Sequence, residues 1–414
     1  MSLITVYEHE RLYLKGSNPS LNNGQLEALR NFHGEGCPYF SLIHNGIKFC
    51  EYVGVLQVGT TTIEILPKAD KSGSEQQWRT ILIDMLKSVG LFDVHAPSSS
   101  SLKLRPHSIL DLYFELFIIE IEYLQRRGLL KKYRKKSGNV TTLKGAIKFN
   151  QQIQQNLIHK ERFFTDHTVY DVQHEIHFIL YKTIVLLNEI NTDHRLQGKI
   201  SSLLLYFPEM PDIKINDETF LKLNLKRKDQ VYKKALEISH LLLLNYHPDL
   251  THGHNHVLAL MFDMNDLWEK FIFYALRRQL HKTKTKLTIS AQTTKSFWKP
   301  SKGRHTSIRP DIVINANKEN CIVLDTKWKN LGGWNPSIDD LRQMYVYHDY
   351  YKAKKVALVY PGNNEIFKQG RYLDPKLSNE LEKECSILPI PLISDNVNLL
   401  EEKIFENFML WFNS

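Results

Sequence analysis

Two aspartates and a lysine in the last third of the chain have the types and spacing that metal-dependent phosphodiester hydrolysis requires. Asp311 lies in the segment Arg-Pro-Asp-Ile-Val-Ile, and Asp325 and Lys327 lie in Cys-Ile-Val-Leu-Asp-Thr-Lys-Trp-Lys. Because strand side chains alternate between faces, Asp325 and Lys327 are expected to point the same way, with Thr326 opposite. Two carboxylates can hold a hard cation, and a neighbouring ammonium can orient water or stabilise a transition state.

The same residues also fit a simpler interpretation, an edge hairpin with polar ends. Proline-aspartate pairs are common turn signals, and an Asp-x-Lys triplet occurs by chance in most chains of this length. The hairpin therefore predicts catalysis only if the surrounding elements can position it.

The flanking sequence predicts a helix, three strands, a helix and a strand. Apolar residues at helical spacing, followed by arginines, predict the first helix over residues 261–280. An alternating run at 286–292 predicts a strand, and the two strands of the hairpin follow. Ser337 can cap a second helix over 338–352, and residues 355–360 predict a buried strand.

This order of elements, with its acids and lysine, resembles the PD-(D/E)xK nuclease superfamily. Within it, the segments FDMNDLWEKF, RPDIVI and VLDTKWK resemble McrC, the nuclease subunit of McrBC methylation-dependent restriction systems. The segment YVGVLQVGTTTIEILPKAD at 52–70 is also McrC-like. The resemblance implies an α/β (α+β multidomain) chain whose C-terminal PD-(D/E)xK core follows a β-rich N-terminal domain and a helical middle region.

The resemblance also implies roles for individual residues. Asp311 and Asp325 would bind the metal, Mg²⁺ or alternatively Mn²⁺, and the backbone carbonyl of Thr326 would complete its coordination. Lys327 would be the catalytic lysine.

Three further residues are candidates for supporting roles. Glu269 matches the helix acid of some branches of the superfamily, or it is an exposed helix charge. Gln343 and Tyr347 lie four residues apart and match the Gln-x-x-x-Tyr motif of RecB-like nucleases. The alternative is that Tyr347 packs inside while Gln343 caps the sheet edge.

The net charge of +9 and a pI near 9.1 suit a polyanionic partner. Basic residues cluster at 126–136 and again at 282–299, beside the predicted active site. The second cluster is either a phosphate contact or solvated surface, and the first is a candidate contact for DNA or a partner protein. The DNA-binding candidates are Lys295, Lys299, Arg309 and Lys329. Trp328 is either a DNA contact or part of the core.

The sequence contains neither Gly-x-x-x-x-Gly-Lys-[Ser/Thr] nor Gly-x-Gly-x-x-Gly, so no nucleotide is expected to bind this chain. The resemblance assigns GTP hydrolysis to a separate McrB-like AAA+ hexamer. The N-terminal part would dock into that ring and stimulate its GTPase, and this subunit could join two such complexes.

Other motifs argue against further sites. The four cysteines are too dispersed for a zinc or iron–sulfur site, and the HGHNH run at 252–256 is typical of a polar loop. Acidic residues interrupt the apolar stretch at 109–124, which predicts a buried helix and no membrane association. The absence of a signal-peptide pattern predicts a cytoplasmic protein.

We expect three domains: a β-rich one over 1–105, which the resemblance makes the docking part, a mainly helical one over 106–253, and the nuclease over 254–414. Alternating runs at 39–44, 46–53 and 61–66 predict strands in the first. Amphipathic stretches at 171–187 and 228–244 predict helices in the second. A serine-rich segment at 96–102 is expected to be a linker or an exposed loop.

Together these features predict a DNA endonuclease subunit of a McrBC-like, GTP-dependent restriction system. One alternative is a stand-alone RecB-like nuclease that needs no GTPase, which the Gln343 and Tyr347 pair favours. The other is a non-catalytic DNA-binding or assembly subunit.

Overall fold

The computed structural model describes residues 2–14, 20–34, 36–69, 74–89, 109–247, 256–329, 331, 335–362, 367–374, 380–392 and 397–414. They form two compact units, one within Val94–Leu260 and the other made of Ser2–Asp93 together with Met261–Ser414. The expected mixed α/β, multidomain class is confirmed. The domain boundaries at 105 and 253 stay a prediction, but the first and last predicted segments share one compact unit. The serine-rich segment at 96–102 and two histidines of the HGHNH run, His252 and His254, lie outside the described residues.

The N-terminal part of the discontinuous unit contains the predicted strands and two helices that were not predicted. Its elements are β1 (Ser2–Tyr7), β2 (Arg11–Tyr13), α1 (Asn23–Gly34), β3 (Phe40–Ile43), β4 (Gly46–Phe49), β5 (Tyr52–Val58), β6 (Thr61–Leu66) and α2 (Glu75–Ser88). Strand β6 pairs in parallel with β1 and antiparallel with β5. The run predicted at 46–53 is divided between β4 and the start of β5, because β4 pairs with β2 and β3 in a separate sheet.

The unit within Val94–Leu260 is mainly helical but also contains a sheet that the sequence reasoning missed. Its elements are α3 (Ile109–Arg127), β7 (Lys132–Val140), β8 (Ala146–Ile147), α4 (Phe149–Asn156), β9 (Phe163–Asp171), α5 (Glu175–Ile190), α6 (His194–Tyr206), α7 (Asp217–Leu221), a 3₁₀ turn (Asp229–Tyr232), α8 (Lys233–Leu244) and β10 (Tyr246–His247). Strands β7 and β8 both pair antiparallel with β9. Much of the first basic cluster therefore lies on strand β7, where four of the five residues 132–136 are charged, so the apolar alternation that predicts a strand is missing.

Helix α3 is buried along most of its length, as its apolar composition predicted. Among the described residues, no helix combines the length and the apolar character needed to cross a membrane.

The C-terminal part of the discontinuous unit follows β11 (Val257–Asp263) and contains the predicted order of elements with additions. Its elements are α9 (Met264–Lys282), β12 (Ile289–Ala291), β13 (Lys295–Trp298), β14 (Thr306–Ile308), β15 (Ile312–Ile314), β16 (Ile322–Thr326), α10 (Ile338–Tyr351), β17 (Lys355–Pro361), β18 (Lys368–Leu373), β19 (Glu380–Ile390) and α11 (Val397–Asn413). The β13–β14 hairpin and the last three elements were not predicted. Six strands form a sheet in the order β12-β15-β16-β17-β19-β18.

Helix α10 packs on this sheet, and Tyr347 is among the side chains that it buries there. Ser337 caps the helix by accepting a hydrogen bond from the Asp340 amide at 3.1 Å, as predicted. Met344, Tyr347 and Tyr351 face the strands and pack with Val323 and Val356 in one hydrophobic cluster. Burial of this stripe fixes the rotation of the helix about its axis.

Candidate active site

Asp311 and Asp325 lie at adjoining ends of two antiparallel strands. Ile312 of β15 pairs with Leu324 of β16, so continuing the register by one residue places the two aspartates opposite each other. Directly opposed residues in an antiparallel pair have Cβ atoms about 4.5–5.5 Å apart. The two aspartates, which are separated in the sequence by the β15–β16 turn, therefore lie together at one end of this strand pair.

Asp325 is a buried carboxylate with a positively charged partner. The residue is 1% exposed, and its Oδ2 lies 2.7 Å from Lys327 Nζ. Burial and the nearby charge of Asp311 raise the pKa of Asp325 well above its usual range. Although burial opposes the charged form of Lys327, Asp325 and Asp311 raise the pKa of its ammonium, which therefore stays protonated at neutral pH. Asp325 and Lys327 share a face, as their spacing predicted.

Gln343 contacts both members of this ion pair. Its Nε2 donates to Asp325 Oδ1 at 3.2 Å and to the Tyr347 hydroxyl at 2.8 Å, and its Oε1 accepts from Lys327 Nζ at 3.3 Å. The Tyr347 hydroxyl donates in turn to the Arg309 carbonyl at 3.2 Å. Burial raises the pKa of Tyr347 to about 12, so its hydroxyl remains a donor. Gln343 thus belongs to the charged cluster, whereas Tyr347 packs inside and positions it.

Asp311 is held by the residue that follows Asp325. Its Oδ2 accepts from the Thr326 amide at 2.6 Å and from the Thr326 hydroxyl at 2.8 Å. These bonds fix the carboxylate, and they give the Thr326 side chain a role that was not predicted.

Glu269 reaches the same region from α9. Its carboxylate accepts from the side-chain Nε2 of Gln292 at 2.9 Å. The backbone amide of Gln292 donates to the backbone carbonyl of Asp311 at 2.9 Å. Burial and the charge of Asp311 raise the pKa of Glu269. Gln292 therefore links Glu269 to the strand of Asp311, a contact between separate segments that no local pattern predicted.

The four DNA-binding candidates fall into two groups. Lys295 Nζ donates to the Tyr350 carbonyl at 3.0 Å, and Lys329 Nζ lies 2.5 Å from Asp340 Oδ2, so both cations are engaged within the protein. Lys299 and Arg309 are exposed. The structure thus gives Lys295 and Lys329 structural partners and leaves Lys299 and Arg309 accessible.

Trp328 joins the strand end to the N-terminal segment. Its indole N–H donates to Glu8 Oε1 at 2.8 Å, and its ring meets that of Trp268 edge to face at 5.4 Å. Glu8 Oε1 also accepts from the Lys68 amide at 2.8 Å. Trp328 therefore packs within the protein beside Lys327, which supports the core interpretation of the two that its sequence position left open.

The residues present fit a hard divalent cation that keeps part of its water shell. The described residues contain no cluster of three or more acidic, histidine or cysteine side chains suited to a metal. Two carboxylates held together, one of them buried, nevertheless form the donor set that Mg²⁺ takes when water and phosphate supply the remaining oxygens. Burial and the charge of Asp311 raise the pKa of Asp325, so added positive charge at this position favours its ionised form.

Comparison with known proteins identifies the family. The profile described as McrBC 5-methylcytosine restriction system component matches residues 47–361, which is most of the chain. The chain belongs to the McrBC family. The match includes Asp311, Asp325, Lys327 and Gln343, so the charged cluster lies within the McrBC region. No curated protein matches the chain.

Two solved structures share the fold of this McrBC family member. A chain of the refined half-complex from the tetradecameric assembly of Thermococcus gammatolerans McrB AAA+ hexamers with bound McrC superposes with a TM-score of 0.74 at 18% identity, covering 99% of this chain and 100% of that one. A chain of the Thermococcus gammatolerans McrBC complex, solved by cryo-electron microscopy, superposes with a TM-score of 0.51 at 20% identity, covering 67% and 88%. At these identities the likeness concerns the fold.

Proposed function

We propose that this chain is the nuclease subunit of its McrBC restriction system and hydrolyses DNA phosphodiester bonds with Mg²⁺. The observation that carries the proposal is the convergence of Asp311, Asp325, Lys327 and Gln343 where the adjoining ends of β15 and β16 meet α10. The order α9, β12, β15, β16, α10, β17 supports placing this part of the chain in the PD-(D/E)xK superfamily.

The carboxylates of Asp311 and Asp325 would hold the cation, with the Thr326 carbonyl as a further oxygen donor. When bound, Mg²⁺ supplies positive charge that polarises the phosphoryl oxygen and lowers the pKa of water. Asp325 also holds Lys327 in place, at 2.7 Å. The donor chemistry of the site therefore matches phosphodiester hydrolysis.

Lys327 would act as a charge rather than as a base. Its pKa is raised, so the ammonium keeps its protons at neutral pH and can donate hydrogen bonds to water or to a phosphate oxygen. Such preorganised positive charge stabilises the negative charge that develops on the phosphate during attack by water. Gln343 restricts the ammonium to one position by accepting a hydrogen bond from it at 3.3 Å.

We also propose that the chain works with a McrB-like AAA+ GTPase. One structure that shares its fold is a half-complex from a tetradecameric assembly of McrB AAA+ hexamers with bound McrC, and the other is a McrBC complex. The partner would bind and hydrolyse GTP, and the present chain would stimulate that hydrolysis and cut the DNA.

Replacing the lysine tests the proposal. With a McrB-like partner, GTP, Mg²⁺ and DNA containing 5-methylcytosine, Lys327→Ala should lower the cleavage rate about 10²–10³-fold, since it removes a preorganised charge. The double change Asp311→Ala with Asp325→Ala should abolish cleavage. Gel-based cleavage rates measure both effects, and stimulation of the partner's GTPase should be preserved.

A matched control comes from the same hairpin. Lys318 is exposed in the turn at its other end, so Lys318→Ala removes one lysine charge without touching the cluster. We expect wild-type cleavage by Lys318→Ala. A Lys327→Ala protein that cuts at the wild-type rate would refute the assignment.

A stand-alone RecB-like nuclease is the second candidate, and one contact favours it. Gln343 and Tyr347 reach Asp325 and the Arg309 carbonyl, as expected if their match to the Gln-x-x-x-Tyr motif is functional. Cleavage assays with and without GTP and the partner separate the two candidates. Full activity of the isolated chain would favour the stand-alone enzyme.

A further inference from the structure

An exposed arm, defined as residues 293–309, begins and ends beside the candidate active site. Strands β13 and β14 form a separate two-stranded sheet in this arm, between β12 and β15 of the main sheet. The Gln292 backbone amide donates to the Asp311 carbonyl at 2.9 Å, so the residue just before the arm contacts Asp311. Arg309, its last residue, is separated from Asp311 by a single proline.

Both ends of the arm contact α10. The Tyr351 hydroxyl donates to the Thr293 carbonyl and lies 3.4 Å from the Ile308 carbonyl, so it bridges the two ends. Lys295 Nζ bonds the Tyr350 carbonyl, and the ring of Phe297 packs against that of Tyr350 with centroids 5.1 Å apart. The arm thus has a fixed base on the helix that also carries Gln343.

Beyond this base the arm is exposed and strongly basic. Between residues 293 and 309 the sequence has no aspartate or glutamate, and its cations are Lys295, Lys299, Lys302, Arg304 and Arg309. Every residue of 301–307 is exposed. Cations without acidic partners in the same segment are unsuited to a buried core. They suit phosphate groups, which bind Lys and Arg through their charge.

An aromatic side chain lies in the middle of these charges. Phe297 faces α10, whereas the next residue, Trp298, is 59% exposed. The register of β13 against β14 shifts between Ser296 and Trp298, a bulge that redirects the side chain. An exposed tryptophan among cations is the arrangement by which proteins stack on nucleobases while holding the backbone.

We propose that this arm grips DNA next to the cleavage site, with Lys299, Lys302 and Arg304 on phosphates and Trp298 stacked on an unpaired base. The inference rests on the proposed nuclease function, since DNA is its substrate, and it names the element that holds the strand. Gln292, just before the arm, contacts Asp311, and Arg309, at its end, is two residues from Asp311. DNA held by the arm therefore lies close to the carboxylates. The arm acts as a positioning element and takes no part in bond cleavage.

Binding measurements without a divalent cation test the arm independently of cleavage. Fluorescence anisotropy of the full chain in EDTA, with a labelled duplex that carries a single-stranded tail, gives the dissociation constant at several salt concentrations. Trp298→Ala should weaken binding about 5- to 100-fold with an unchanged salt slope, because stacking carries no charge. Trp298→Phe, which keeps an aromatic face, should restore most of the affinity.

The charge contribution is tested with two triple variants that lose equal charge. Lys299→Ala with Lys302→Ala and Arg304→Ala should reduce the slope of log affinity against log salt by about 2–3, one counterion per lost phosphate contact. The control triple removes exposed lysines of the same compact unit outside the arm, and should change the slope by less than about 1. Its members are Lys318, Lys354 and Lys368.

The outcomes separate the arm from the nuclease assignment. Wild-type binding by both arm variants, or equal losses in the two triples, would overturn the proposal. Arm variants that bind DNA normally but fail to stimulate the partner's GTPase would assign the surface to the protein partner and likewise overturn it. Loss of binding in a chain whose wild type cuts no DNA would uphold the arm and reject the nuclease.

Discussion

At the residue scale, the carboxylate of Asp325 is the group around which the site is built. It is buried, and it contacts Lys327 through one oxygen and Gln343 through the other. Burial and the charge of Asp311 raise its pKa, so each cationic or hydrogen-bonding neighbour helps to keep it ionised. The chemistry of the site therefore depends on side chains that surround Asp325 as much as on the aspartate itself.

Gln343 provides a test of this dependence. Gln343→Ala should slow DNA cleavage about tenfold or more, because Asp325 and Lys327 each lose a hydrogen bond, and bonds to charged groups contribute about 1.5–3 kcal/mol. Tyr347→Phe removes only the hydroxyl behind Gln343 and should slow cleavage less. Single-turnover rates with partner and GTP measure both effects. Arg342→Ala, an exposed neighbour on α10, serves as the control, and equal rates for Gln343→Ala and wild type would contradict the role.

At the scale of elements, the end of β16 is held by a contact with the first strand of the chain. Glu8 directly follows β1 and accepts from the indole of Trp328, which is adjacent to Lys327. Trp328 also packs on Trp268 of α9, and the Trp268 indole lies 3.4 Å from the Val359 carbonyl that accepts from the Lys327 amide. The position of Lys327 thus depends on β1 and α9 as well as on its own strand.

Changing Glu8 should therefore affect a site that is distant in sequence. Glu8→Ala leaves the Trp328 indole and the Lys68 amide without their shared acceptor, which should lower stability by about 1–3 kcal/mol. Cleavage should slow, because Trp328 is free to move next to Lys327. Glu8→Gln keeps an acceptor oxygen and should restore most of both properties.

Thermal unfolding and cleavage rates, measured on the same preparations, check this expectation. Glu10 is an exposed acid that accepts from the Tyr7 backbone amide at 3.1 Å and pairs with Lys68 at 3.5 Å, so Glu10→Ala is the control and should change both measurements less than Glu8→Ala does. A Glu8→Ala protein with unaltered cleavage and stability would show that the contact has no influence on the site.

At the scale of the whole molecule, the chain is divided into two compact units with different construction. One unit joins the first and last parts of the sequence, and the other lies within Val94–Leu260. The second has its own buried polar network. His177 Nδ1 donates to the Val172 carbonyl at 2.6 Å, and its Nε2 lies 3.2 Å from the Tyr232 hydroxyl, which accepts from the Leu130 amide at 2.8 Å.

This network predicts acid sensitivity of the unit within Val94–Leu260. Burial and the neighbouring His174 lower the pKa of His177 to about 4, whereas the unfolded chain titrates near 6.5. Between these values the unfolded state binds the additional proton, so stability falls as the pH drops from about 6.5 to 4, by about 2–3 kcal/mol in total. Lys132 and Asp229 form an ion pair at 3.0 Å nearby.

Urea unfolding of the full chain at pH 7, 5.5 and 4.5 measures the effect. His177→Gln removes one titrating group and leaves His174, whose pKa burial also lowers, so its stability should depend less on pH in this range, whatever its absolute value. His159 is exposed, and His159→Gln should keep the wild-type pH dependence. Equal pH slopes for His177→Gln and wild type would rule out this source of acid sensitivity.

Local sequence patterns were sufficient for much of the C-terminal part. Alternation predicted the β15 and β16 strands, Ser337 predicted the start of α10, and a spacing of four placed Gln343 and Tyr347 together. These features depend on periodicity and capping, which are properties of neighbouring residues. They also predicted the order of the elements that carry the site.

The tertiary structure alone decided which distant groups meet. Glu8 and Trp328 are 320 residues apart, Lys329 pairs with Asp340, and Lys295 bonds the Tyr350 carbonyl, so two DNA-binding candidates have partners within the protein. The sheet of β7, β8 and β9 and the arm were likewise missed. Such contacts depend on strand register and on the packing of separate segments, which a local pattern does not encode. The sequence thus determined the residues available for chemistry, and packing determined which of them come together and which remain exposed.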